Sequence, residues 1–147
     1  MTEVVFHYGV ADKLDYAARL LRKVARSGQR ARVLVDPAQA SALSARLWAL
    51  TPTGFLAHCD DRAPAAVQRR SPVLLSQPDA AHDPERLLVL NLGAQLPRDA
   101  QHCQRILDIV GTDMDDRQLG RSRKRAYDAA GCAVTMHDAG AGQETAA

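Results

Sequence analysis

The sequence predicts a single α/β domain with a mostly parallel central sheet and helices on both faces. Short apolar segments alternate with amphipathic segments of helical period, which is the pattern of strand–helix–strand units with right-handed crossovers. The apolar segments are continuous rather than alternating, as in parallel strands that are covered on both faces. The length of 147 residues suits one domain with a substantial core.

The first strand–helix unit lies at the N-terminus. Residues 4–8 are apolar and rich in strand formers, and they predict a central strand. Asp12 follows in a position suited to capping a helix. The apolar residues of that helix recur at helical spacing as far as Ala25, and Gly28 comes where glycine commonly ends a helix.

The second unit repeats this order. Residues 32–35 predict a strand, and Asp36 with Pro37 predicts a helix start, with Asp36 as the cap and Pro37 at the first helical position. Trp48 lies about 100° away from the inward stripe of this helix, and a third strand is predicted at 55–58. The inward stripe consists of Ala40, Leu43, Leu47 and Leu50.

In the second half of the chain, residues 59–72 and 77–84 are polar and predict loops. The apolar runs 73–76 and 86–92 predict buried strands. A helix is then predicted from Asp99. Its inward residues are Cys103, Ile106, Leu107 and Val110.

That helix is predicted to end at 111–113, and a basic helix follows from about 115 to 130. Residues 132–136 predict the last strand. The remaining residues are small, polar and rich in glycine and alanine. We therefore expect an α/β domain over residues 1–137 and a flexible C-terminal tail over 138–147.

Composition places the chain among globular proteins of the cytoplasm. Charged residues make up 24% of the sequence and apolar residues 46%, which are ordinary values for a globular domain. No run approaches the ~20 apolar residues of a membrane helix, and the N-terminus lacks the pattern of a signal peptide. The three cysteines are far apart in the sequence and are expected to be reduced.

The positive charge of the chain is local. Residues 117–125 contain five cations and no acid, whereas the whole chain has a net charge of only +2, which leaves −3 for everything else. A basic spot in a slightly acidic protein predicts a docking site for an acidic partner rather than a general surface for polyanions.

A helical arrangement sorts these charges. Arg117, Arg121 and Lys124 fall in one stripe at i, i+4 and i+7, and we call this stripe the cationic ridge. Arg123 lies nearer the apolar side, so it must reach solvent or find a partner. Gly120 leaves room for another segment to approach closely. The residues expected to pack inward are Leu119, Ala126, Tyr127 and Ala130.

The sequence offers little support for catalysis, a metal or a cofactor. No Walker loop is present, and no GxGxxG follows a predicted strand. Asp12 would repel a phosphate at the turn after the first strand. Residues 58–61 combine His, Cys and two Asp, but no second pair of ligands has the spacing of a zinc site. We predict no catalytic residues, no metal and no cofactor.

Three other interpretations of the basic helix remain open. Its cationic face could simply be solvated. It could bind single-stranded nucleic acid directly through phosphates, although no aromatic side chains interleave with the cations to stack bases. The chain could also be a small α/β enzyme with a polar pocket at the carboxyl ends of its strands.

Several segments, taken in order, resemble the chi subunit of bacterial DNA polymerase III holoenzyme. The resemblance extends from Val4 to about Val134. The segments are Leu47-Trp48 with Pro52, residues 54–58, residues 88–92, Ile109-Val110, and Gly120-Arg121-Ser122-Arg123 followed by Tyr127, Gly131 and Val134.

The resemblance implies a Rossmann-like fold without a nucleotide-binding loop and an accessory subunit that is not an enzyme on its own. It implies a heterodimer with the psi subunit, which connects chi to the clamp loader of the replisome. It also implies binding of the acidic C-terminal tail of single-stranded DNA-binding protein. Trp48 and Phe55 match the psi-binding positions of the family, and a DNA-repair helicase is a further partner for that surface.

Four residues match the tail-binding pocket of the family. By this resemblance Arg121 pairs with the terminal carboxylate of the tail, Arg117 holds its acidic residues, and Val110 lines the slot for its last apolar side chain. Lys124 completes the set but departs from the family, which usually has Tyr or Trp there. The lysine keeps the charge attraction and lacks a flat apolar wall.

Overall fold

The computed structural model describes residues 1–49 and 57–140, which form a seven-stranded sheet with helices on both faces. The strands are β1 Glu3–Val10, β2 Ala31–Leu34, β3 His58–Asp60, β4 Val73–Ser76, β5 Leu88–Asn91, β6 Arg105–Gly111 and β7 Ala133–Asp138. The helices are α1 Lys13–Arg26, α2 Pro37–Trp48, α3 Ala65–Arg70 and α4 Met114–Ala129, with a 3₁₀ turn at Ala100–His102.

The strand order is β3-β4-β2-β5-β6-β1-β7, and the paired strands are parallel throughout. The predicted Rossmann-like α/β class is therefore confirmed. None of the helices in the described part of the chain is both long and apolar enough to cross a membrane.

The two faces of the sheet are covered by different elements. Side chains alternate along each strand, so Leu107 and Ile109 of β6 face the side of α1 and α2, whereas Ile106 and Val110 face the side of α4. The larger core lies under α1 and α2. The smaller core lies under α4 and includes Val4, Phe6, Leu34, Val89 and Tyr127.

The capping predictions are largely confirmed. The Asp12 carboxylate accepts a hydrogen bond from the Asp15 amide at the start of α1. Gly28 follows that helix with a φ of +81°, a conformation that glycine adopts without strain. Asp36 precedes α2 as predicted, but its side chain makes no capping hydrogen bond.

Two predictions of secondary structure are wrong. Residues 59–72 contain the end of β3 and the short helix α3, rather than only a loop. The predicted helix from Asp99 is a single 3₁₀ turn, and its second half is the central strand β6. The polar Asp108 within an apolar run gave that segment an apparent helical period, whereas the structure buries Asp108 against an arginine of α4.

The strand at 73–76 and the loop at 77–84 are found as predicted, and the strand within 86–92 narrows to β5. Asp138, which was assigned to the tail, belongs to β7. Leu50 and Phe55 lie outside the described residues, as do residues 141–147, so the prediction of a flexible tail stays a prediction.

Candidate functional site

The start of α4 is fixed to the end of β6. Asp113 caps the helix by accepting a hydrogen bond from the Asp116 amide at 3.0 Å. The Asp116 carboxylate accepts a second one from the Gly111 amide at 2.6 Å and forms an ion pair with Lys13 of α1 at 3.1 Å. The acids of the first turn also suit the positive end of the helix dipole.

Three residues of α4 face the sheet, namely Gly120, Arg123 and Tyr127. Gly120 lies directly on Val110 of β6, because a Cβ built at residue 120 would come within 2.9 Å of Val110 Cγ2. The glycine therefore admits a side chain of the sheet, rather than another backbone segment. Tyr127 packs edge-on against Phe6 with 5.6 Å between the ring centroids.

A buried ion pair holds α4 to the sheet. Arg123 and Asp108 are 3% and 0% exposed, and the guanidinium contacts both carboxylate oxygens at 2.9–3.2 Å. Tyr127 and Asn91 also donate hydrogen bonds to the carboxylate, at 3.0 and 3.3 Å. Burial raises the pKa of Asp108, and the positive charge of Arg123 opposes that rise.

The sequence indicated that Arg123 must reach solvent or pair, and it pairs. Its partners Asp108 and Asn91 were missed. The available signal was the presence of one polar residue in each of two strongly apolar segments, since buried polar groups are normally hydrogen-bonded.

The cationic ridge lies on the exposed part of α4. Arg117 and Arg121 are exposed, and neither forms an ion pair within the described residues. Lys124 is half-buried and contacts Asp128 at 3.1 Å, but both side chains remain accessible. Such an exposed i, i+4 pair stabilises a helix by only a few tenths of a kcal/mol, so an anionic ligand can compete for the lysine.

The structure separates Val110 from the other three predicted tail-binding residues in its exposure. Val110 is only 6% exposed, because Gly120 covers it. It is thus part of the floor beneath α4, and its predicted role in lining a slot stays a prediction.

The predicted inward face of α4 needs correction. Tyr127 is buried as expected, whereas Leu119 is 42% exposed, and Ala126 and Ala130 are also exposed. The helix turns Gly120 and Arg123 toward the sheet, because the carboxylate that neutralises Arg123 lies there.

Trp48 lies at the other edge of the sheet, at the end of α2. Its side chain is 54% exposed, and its ring centroid is 5.3 Å from that of His58 on β3. A cavity of about 530 Å³ runs between α2 and β3 and includes both residues. Phe55, the second predicted psi-binding residue, lies outside the described part of the chain.

Comparison with known families decides the family of the chain. The family model for the DNA polymerase III chi subunit, HolC, matches residues 1–135. The chain belongs to the chi subunit family. No match was found in the search of curated proteins.

A solved structure of a different protein shares the fold of this chi-family chain. The C-terminal domain of S. cerevisiae Dbp5, in a complex with Gle1 and IP6, aligns with a TM-score of 0.54 and 9% identity, over 92% of this chain and 90% of that one. At this identity the likeness concerns the fold alone.

The two candidate surfaces of the chi-family chain are far apart. Trp48 lies beside β3, whereas α4 covers β6 and β7 at the other side of the sheet. The order of the strands puts six spacings between β3 and β7, which corresponds to roughly 29 Å. α2 and α4 also pack on opposite faces, so a ligand on one surface leaves the other accessible.

The place where related folds bind nucleotides is poorly suited to phosphate in this chi-family chain. A cavity of about 360 Å³ lies at the carboxyl ends of β1 and β6, where the crossovers diverge in direction and a ligand site is expected. Asp12 and Asp113 cap the helices that begin there. Arg46 donates to Asp12 and lowers its pKa, so two carboxylates occupy the positions that a phosphate would need.

Metal binding finds no support in the described part of the chi-family chain. No cluster of three or more His, Cys, Asp or Glu side chains within residues 1–49 and 57–140 is arranged to hold an ion.

Proposed function

We propose that this chi-family subunit is a non-catalytic adaptor of the DNA polymerase III clamp-loader complex. One surface, around Trp48 and Phe55, binds the psi subunit. The other, the cationic ridge of α4, binds the acidic C-terminal tail of single-stranded DNA-binding protein. The adaptor thereby connects the clamp loader to the protein that coats single-stranded DNA during replication.

The observation that carries the proposal is the state of the ridge. Arg117 and Arg121 are exposed and form no ion pair within the described residues, while the nearby Arg123 is fully neutralised by Asp108. The helix thus uses one arginine for its own packing and leaves two for a ligand. Guanidinium groups bind carboxylates through paired, charge-assisted hydrogen bonds, so a peptide with acidic residues and a free carboxyl terminus fits them.

The test is a calorimetric titration with a peptide of the tail sequence. Arg121→Ala is expected to weaken binding by about 1–3 kcal/mol, because a charge-assisted hydrogen bond is lost. The matched control is Arg26→Ala on α1, which removes the same charge from the other face of the sheet. Equal affinity of Arg121→Ala and the wild type would remove Arg121 from the site.

The two-surface arrangement has its own test. Trp48→Ala is expected to release psi in a pull-down and to leave peptide binding unchanged, and Arg121→Ala is expected to do the reverse. Loss of both partners from either variant would contradict two separate surfaces.

The alternative of direct binding to single-stranded nucleic acid is an outcome of the same experiment. It predicts affinity for an oligonucleotide in the absence of peptide, with a steep decrease at higher salt.

A further inference from the structure

Two large apolar side chains are exposed on the part of the sheet nearest α4. Tyr8 of β1 is 38% exposed and Met136 of β7 is 52% exposed. In the parallel register, Phe6 is opposite Met136, and opposed residues of neighbouring strands point to the same face. Phe6 contacts Tyr127 of α4. Met136 therefore belongs to the α4 face of the sheet, and so does Tyr8, which follows Phe6 by two residues.

α4 leaves this part of its face uncovered. The helix is the crossover from β6 to β7, so it starts at the carboxyl end of one strand and ends near the amino end of the other. It buries Val4 and Phe6, which are 0% and 1% exposed. The carboxyl-terminal halves of β1 and β7 lie beyond it.

The cationic ridge is on the flank of α4 that faces this open area. At about 100° per residue, Arg123 lies roughly 60° to one side of Gly120, and the ridge residues lie roughly 40–100° to the other. Arg123 reaches Asp108 on β6 and the main chain at Ala94, just after β5. The opposite flank therefore faces β1 and β7, where Tyr8 and Met136 are exposed.

We propose that Tyr8 and Met136 form the apolar floor of a groove whose cationic wall is the ridge, and that this groove takes the apolar side chain of an acidic peptide near its carboxyl terminus. The inference rests on the proposed function and adds the residues that select the end of the peptide. Lys124 supplies no flat apolar surface and Val110 is covered by Gly120, so the apolar contact must come from another element. The exposed pair on β1 and β7 provides it.

The charges around the groove also fix the direction of the peptide. Asp138 is opposite Tyr8 on β7, and its carboxylate accepts a hydrogen bond from the Gly140 amide. This acid would repel the acidic residues of a peptide. Those residues therefore lie along Arg117 and Arg121, and the apolar side chain points toward the strands.

The experiment compares two acidic peptides that differ only in the last residue, phenylalanine in one and serine in the other. The protein variants are Tyr8→Ala, Met136→Ala and Arg121→Ala. Leu87→Ala is the control, because Leu87 is also an exposed apolar residue and precedes β5. Tyr8→Ala and Met136→Ala are each expected to weaken binding of the phenylalanine peptide roughly 5- to 10-fold and to leave binding of the serine peptide within about 2-fold.

The outcomes separate this inference from the proposed function. If Arg121→Ala weakens binding of both peptides while the Tyr8 and Met136 variants bind like the wild type, the floor is elsewhere and the adaptor function stands. If the wild type binds neither peptide, both proposals fail.

A second measurement needs no substitution and so does not depend on the folding of a variant. The chain has three methionines, and labelled methyl groups give a separate signal for each in an NMR titration. Addition of the phenylalanine peptide is expected to shift the Met136 signal and leave that of Met1 unchanged. An unchanged Met136 signal at saturating peptide would overturn the inference.

Discussion

The buried pair of Arg123 and Asp108 provides the most decisive test of how the sheet positions α4. Asp108→Asn keeps the shape of the side chain and removes its charge, which leaves the Arg123 guanidinium 3% exposed and without a counterion. Arg123→Met leaves the buried carboxylate with only Tyr127 and Asn91 as donors. Removal of one partner from a buried pair costs about 3–5 kcal/mol.

This magnitude is measurable by urea unfolding followed by circular dichroism. For a domain of this size, a loss of about 3–5 kcal/mol corresponds to a decrease of roughly 10–15 °C in Tm. The control is Arg19→Met, which removes one partner of an exposed ion pair with Asp15 on α1 and is expected to change the free energy of unfolding by about 0.5 kcal/mol or less.

The double variant Asp108→Asn/Arg123→Met contains neither charge. It is expected to be more stable than the sum of the two single losses predicts, by about 2 kcal/mol, because no unpaired charge remains in the core. Single losses below about 1 kcal/mol, or additive effects in the double variant, would refute the view that this pair neutralises two otherwise uncompensated buried charges.

Two further predictions concern the packing of α4 and the effect of acid. Gly120→Ala is expected to lower the free energy of unfolding by about 1 kcal/mol, since the clash with Val110 exceeds the ~1 kcal/mol gain in helix propensity. A gain of the full propensity in urea unfolding would show that the two residues are not in contact. Burial and the nearby charge of His137 lower the pKa of His7 to about 4, below the value of about 6.5 in the unfolded chain. The wild type is therefore expected to lose about 2–3 kcal/mol as the pH falls from about 7 to about 4.5, whereas His7→Gln changes less over that range. Equal pH profiles of the two proteins in urea unfolding would contradict this assignment.

The sequence predicts the fold class well because the signals for it are local. Asp12 and Gly28 mark the ends of α1 through their own backbone chemistry, and the run 73–76 is apolar at every position but its last. Such signals require no knowledge of which elements meet in space. The basic helix is likewise identified by its own residues, and it begins and ends within one residue of the predicted bounds.

The errors arise where a partner distant in sequence decides the structure. Residues 105–111 contain a polar residue among apolar ones, and that pattern is compatible with a helix when the segment is considered alone. Only the pairing of Asp108 with Arg123, fifteen residues further on, makes a buried polar position in a central strand acceptable. The orientation of α4 was mispredicted for the same reason, because Leu119 and Ala126 are the more apolar residues and Arg123 is the one with a buried partner.

Asp108 therefore connects the fold to the candidate function. Its charge determines that Arg123 turns inward, and the helical period then places Arg117, Arg121 and Lys124 on the exposed flank. An arginine helix without a buried acid beneath it would have no reason to adopt one rotation about its axis over another. The orientation of the ridge toward β1 and β7 thus follows from one buried carboxylate, and substitution of Asp108 should affect peptide binding even though this residue is inaccessible to any ligand.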